Sequence, residues 1–100
     1  MRWAWTWSGC CFGYWIDDDL WTYRGKHIGR CINNDIYAPS GRYIGELMGD
    51  SRLITNKSKA GRAGPLFVPT RARGLEQRLP DDTGNVFYKG YGDFPHPDEL

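Results

Sequence analysis

One hundred residues set the scale of this chain: a single domain with a modest core, since a chain of this length buries about two-thirds of its unfolded surface. Fifteen aromatic side chains, thirteen glycines and six prolines point to many turns and little long helix. The net charge is only +1 and nothing approaches the ~20 apolar residues of a membrane span, so no membrane role is expected.

That small net charge hides a division along the chain. Residues 1–56 are balanced, 57–79 carry +5 and 80–100 carry −4. A basic middle beside an acidic tail predicts a solvated or self-paired surface, with a weak polyanion patch as the alternative. Three cysteines leave at least one unpaired in a monomer, and the adjacent Cys10 and Cys11 should face opposite sides of a strand, so a reducing cytoplasm is expected. The aromatic start after Arg2 lacks a small-x-small cleavage site and carries the repeat described next, so it reads as folded protein.

One pattern recurs every 16 residues: Trp5 to Gly13, Trp21 to Gly29, Tyr37 to Gly45. Each copy predicts a hairpin. The first has strands over 3–7 and 10–16 around a tight Ser8-Gly9 turn, with Asp17, Asp18 and Asp19 as the link. The second has strands over 20–23 and 26–32 around Arg24-Gly25, with Asn33-Asn34 following. The third has strands over 36–38 and 42–48 around Pro39-Ser40-Gly41, then Gly49-Asp50. Gly9, Gly25 and Gly41 suit a turn position of positive φ. Gly13, Gly29 and Gly45 each follow an apolar residue inside a return strand, where glycine marks a bulge or the close approach of another backbone. Their shared phase predicts hairpins crowded about a common axis. A fourth, worn copy starts at 53–56 and blurs through Lys57–Gly61, as terminal copies often do. Closing the set on itself would hide the first and last edges.

The expected fold is therefore mainly β, with hairpin repeats near 3–18, 19–34, 35–50 and 51–64 in a pseudo-fourfold domain over 1–64. A C-terminal arm over 65–100 packs on the same domain. In the arm, 66–68 predicts an edge strand or a docked extended segment. Thr70 is placed to cap a short helix over 71–79, and 86–88 predicts one more strand. Tyr91 and Phe94 are expected on the core.

The aromatic-x-x-x-Gly-x-x-apolar-Gly pattern resembles the 4-fold beta flower domain, a family of small bacterial hairpin-repeat proteins. The likeness is carried by Trp5, Gly9 and Gly13, by Trp21, Gly25, Ile28 and Gly29, and by Tyr37, Gly41, Ile44 and Gly45. It covers a little over half the chain and implies short hairpins in approximate fourfold symmetry. It brings no activity, substrate or catalytic residue.

Candidate chemistry is sparse. Asp17, Asp18 and Asp19 could hold a hard cation, but they lack calcium-loop spacing and sit where the other repeats turn. His27 and Cys31 share a strand face, and Cys11 shares the repeat phase of His27. Zinc is one reading and half-buried packing the preferred one, because Tyr43 takes that phase in the third copy. No nucleophile elbow or phosphate loop is present, and His96 lies between two prolines. No catalytic, metal or cofactor site is assigned. A non-enzymatic module that binds a partner protein or forms a homo-oligomer is the first expectation. Weak nucleic-acid binding through Lys57, Lys59, Arg62, Arg71, Arg73 and Arg78 is the alternative, and a small hydrolase the minor one.

Overall fold

The computed structural model describes all 100 residues. Eight strands follow one another in chain order: β1 Arg2–Thr6, β2 Cys11–Ile16, β3 Asp19–Thr22, β4 His27–Ile32, β5 Asp35–Tyr37, β6 Tyr43–Met48, β7 Arg52–Asn56 and β8 Tyr91–Asp93. Neighbours from β1 to β7 pair antiparallel, and β7 then pairs parallel with β1 at Trp5–Arg52 and Thr6–Leu53, closing a seven-stranded barrel. No helix is long and apolar enough to cross a membrane.

The three hairpins are built alike. Each ends its first strand in a four-residue turn whose last member is Gly9, Gly25 or Gly41, with φ of 101°, 91° and 84°. These tips are wider than the tight turns expected. In each, the pairing slips at one phase, between Ala4 and Trp5, Leu20 and Trp21, Ile36 and Tyr37. The residue left without a partner is Phe12, Ile28 or Ile44, the one before the second glycine. A bulge bends its strand and re-aims a side chain, and here it turns these three into the core.

The core is two rings of four. Ala4, Leu20 and Ile36, sixteen apart, make one with Leu53, which comes one residue later; Phe12, Ile28, Ile44 and Phe94 make the other, with Trp15 in the same cluster. Gly13, Gly29 and Gly45 lie where adjacent hairpins meet. A Cβ on Gly45 would lie 2.7 Å from the Ile54 carbonyl oxygen, and one on Gly29 would lie 3.3 Å from that of Tyr37. The crowding predicted from their phase is thus at the joints between units.

The fourth unit supplies only its first strand. Asn56 caps a 3₁₀ turn at Lys57–Lys59, its side chain accepting from the Ser58 N–H at 3.1 Å, and the chain leaves the barrel. The missing return strand comes instead from β8, which lies against β7 at Ile54–Asp93, Thr55–Gly92 and Asn56–Tyr91. The same edge of β7 thus serves β1 near its start and β8 near its end. Phe94, just after β8, fills the ring position that the worn repeat lacks.

Two expectations for the arm are corrected. Residues 71–79 form no helix, and 86–88 form no strand. The Glu76 N–H, which a helix would bond to Ala72 O, donates instead to the Tyr23 carbonyl at 2.9 Å, and the Arg73 N–H donates to that of Gly25 at 2.8 Å. With Gly74 already weakening helix, external acceptors win. The segment at 66–68 is docked and extended, its Phe67 N–H donating to Pro39 O at 3.2 Å.

Candidate functional site

Residues 62–90 form a strap around the hairpin tips, and its register is the least expected feature of the molecule. The N–H groups of Gly64, Arg73 and Asp82 donate to the carbonyls of Gly41, Gly25 and Gly9 at 2.7, 2.8 and 2.8 Å. Those of Phe67, Glu76 and Asn85 donate to Pro39, Tyr23 and Trp7 at 3.2, 2.9 and 3.1 Å. The strap therefore repeats every nine residues while the barrel beneath repeats every sixteen, and it visits the tips in reverse order. Trp5 and Trp7 add indole N–H bonds to Pro80 O and Val86 O, at 2.9 and 3.0 Å.

Fixing the strap by its backbone leaves most of its side chains outside. Val68, Val86, Leu66 and Leu75 are 88%, 87%, 76% and 72% exposed, and Phe87 and Tyr88 are also exposed. Large apolar side chains thus stand in water near each of the three tips, Leu66 and Val68 at the third, Leu75 at the second and Val86 at the first.

The basic residues of 57–78 do not form one free patch. Lys59 Nζ holds Asp35 at 2.8 Å and Glu46 at 3.2 Å, and Arg62 holds the second oxygen of the buried Asp35 at 3.0 Å. Arg73 lies over the rings of Trp21 and Tyr14, at 5.5 and 5.8 Å. Arg78 pairs with Asp81 and approaches Cys10 Sγ at 3.6 Å. Lys57 and Arg71 are exposed and make no ion pair. The predicted basic and acidic segments pair with each other little beyond Arg78–Asp81; Asp98 and Asp82 instead engage Arg24 and Arg52 of the barrel, both at 3.0 Å.

Positions 11, 27 and 43 share a phase, and each meets the strap. Cys11 N–H donates to Asp81 at 2.9 Å, and Tyr43 N–H to Arg62 O at 3.0 Å. His27 Nδ1 accepts from Thr70 N–H at 2.8 Å, so its other nitrogen carries the proton toward Asp19 at 3.0 Å and Gly29 O at 3.2 Å. Its ring lies fully covered between Trp21 and Phe67. No group of three or more His, Cys, Asp or Glu side chains is arranged to hold a metal ion, so Cys11, His27 and Cys31 do not converge.

A cleft of about 770 Å³ lies between the tail and the tips, lined among others by Ser8, Cys10, Arg42, Asp93 and His96. Its strongest polar contact is structural: Ser8 Oγ donates to Asp93 at 2.5 Å and Ser8 N–H at 3.3 Å, clamping the first tip to β8. The Ser8 hydroxyl thus faces a carboxylate, while His96 Nδ1 caps the last 3₁₀ turn by accepting from Asp98 N–H at 3.2 Å. A second cavity of about 380 Å³ opens beside His27, between Pro39 and Pro69.

Burial pushes the Cys11 and Cys31 thiols and the Tyr43 phenol above their ordinary values. The hydrogen bond to Asp35 does the same for Lys59. Each group binds its proton more tightly folded than unfolded, so its contribution is intact below the unfolded pKa and lost as pH rises through the folded one. The urea midpoint should therefore hold steady up to the ordinary thiol value of 9.0 and fall above it. A Cys31→Ala chain should fall less steeply at first. A midpoint flat to pH 10.5, the ordinary lysine value, would refute this.

Comparison with family models, with curated proteins and with solved structures returns no match.

Proposed function

We propose that this chain is a non-enzymatic binding module of the 4-fold beta flower kind, which associates with a second copy of itself or with a partner protein through the outer face of the strap. The observation that carries the reading is the set of outward apolar side chains, Leu66, Val68, Leu75 and Val86, on backbone already tied to the barrel. A tethered backbone limits the ordering entropy lost on association, which favours binding by such a surface. The polar groups that could have served chemistry are taken up by the fold: His27 between strap and strand, Ser8 on Asp93, Asp35 between two cations. Three free cysteines suit a reducing, cytoplasmic setting.

Light scattering after size exclusion tests the self-association half. A mass rising from one chain toward two with concentration is expected, and a Val68→Ser, Val86→Ser chain should stay nearer one. A strict monomer at every concentration would overturn self-association. The polyanion alternative retains Lys57 and Arg71 as its free cations. It predicts anisotropy of a labelled oligonucleotide that rises at low salt and collapses as salt is added; no change at low salt removes it.

A further inference from the structure

The strand that completes the ring is attached by an unusual route. Residues 57–90 contribute nothing to the hydrophobic core, yet they deliver β8 and Phe94, which is 2% exposed and packs edge-on to Phe12 at 5.1 Å between ring centroids. The strap's last backbone bond to a hairpin tip is Asn85 N–H to Trp7 O, with the Trp7 indole reaching Val86 O beside it. From there through Gly90 every residue is exposed, Gly90 takes a φ of 85° and its carbonyl accepts from Lys57 N–H at 2.9 Å, and Tyr88 rests on Trp7 with centroids 5.7 Å apart.

We propose that residues 91–100 act as a detachable plug exchanged between two copies of this chain, with 86–90 as the hinge, so that β8 of each copy completes β7 of the other. This rests on the self-association half of the reading above, and of the four apolar residues named there it uses only Val86. The plug's anchoring contacts are with the barrel: its ladder to Ile54–Asn56, Phe94 over Gly45, Asp93 on the Ser8 tip, and Asp98 on Arg24 at 3.0 Å. A second copy offers the same surfaces, so exchange sacrifices none of them, which is what makes swapping of identical elements a low-cost route to a dimer. Reach sets the arrangement. Five extended residues span at most about 17 Å, so the exchanged barrels stand no farther apart than this at the hinges, close enough to touch there. That contact covers Val86 and Phe87, which the single chain leaves in water.

Asn56 and Tyr91 give a direct test, because they are partners in the β7–β8 register and their side chains already meet at 3.3 Å. Full-length Asn56→Cys and Tyr91→Cys chains are mixed, held reduced at high concentration, oxidised, and mapped by mass spectrometry after digestion. Exchange predicts a heterodimer linked between positions 56 and 91, while links to positions 10, 11 or 31 do not count. A dimer by light scattering without the 56–91 link would overturn exchange and leave self-association standing. Monomers throughout would overturn both. A second chain, lacking Phe87 and Tyr88, covers the case in which the cysteine variants misfold. A shorter hinge disfavours return of the plug to its own barrel, so the dimer share at a given concentration should rise above that of the parent chain, and a folded chain showing no rise would overturn the proposal.

Discussion

Replacing Phe94 by Ala should cost about 3–5 kcal/mol of folding stability, a large share of the 5–15 kcal/mol typical of a whole domain. The reason is position. Phe94 completes the ring of Phe12, Ile28 and Ile44, and its side chain occupies the space that the absent Cβ of Gly45 leaves free. The substitution removes the aromatic contact with Phe12 and opens a cavity that the neighbouring strands, held by ladders on both sides, cannot collapse into. Urea denaturation followed by tryptophan fluorescence reads the effect. A loss under ~1 kcal/mol, the size expected of an exposed position, would mean that the tail decorates the barrel and does not complete it.

Gly13→Ala should do comparable or greater damage. A Cβ there falls on the Trp21 carbonyl oxygen and within 2.8 Å of Thr22 Cα, both backbone, so no rotamer change gives relief. β3 would have to move away from β2 and break the pairing of Gly13 with Thr22. A loss of about 4 kcal/mol or more is expected, the exceptional end of single substitutions. Gly49→Ala is the control. Its φ is 69° but nothing lies within 4 Å, so only the left-handed conformation is penalised, at roughly 1–2 kcal/mol. If Gly49→Ala proves the worse of the two, close approach of backbones is not what fixes the glycine at position 13.

These two predictions divide what could be read from residues and what could not. The hairpins were legible because glycine phase and apolar phase both recur at sixteen, and each marks a physical demand: a left-handed turn end, a bulge, a joint without room for a side chain. Phe94 was legible as apolar, and its place on the core was expected. That it replaces the missing return strand was not, because nothing in 91–94 repeats the aromatic and glycine spacing of the hairpins. The helix over 71–79 failed for a related reason. Local propensity cannot see acceptors supplied by residues fifty positions away: the Tyr23 carbonyl claims the Glu76 amide that a helix would use, and that of Gly25 fixes Arg73 beside it. The nine-residue register of the strap leaves only a partial trace in the residues: Arg62-Ala63-x-x-Leu66 recurs as Arg71-Ala72-x-x-Leu75, nothing carries the pattern on to 80–84, and the tying residues Gly64, Arg73 and Asp82 share only a backbone N–H. The basic run from Lys57 to Arg78 was visible as charge, but Asp35 and Glu46 sit beside it only once the chain has folded.

The reversed order of the strap has a consequence for how the molecule assembles. The ties join residues 23, 48 and 73 positions apart, since Gly64 meets Gly41, Arg73 meets Gly25 and Asp82 meets Gly9. Closing the longest loop unaided is the costliest step, although each doubling of length adds only ~0.6 kcal/mol. Once the nearest knot is made, the next amide is delivered nine residues on, beside the adjoining tip, so the lacing can run backward from the third hairpin to the first. During synthesis the earliest of the three hairpins is then the last to be fastened, and β8 sets after it.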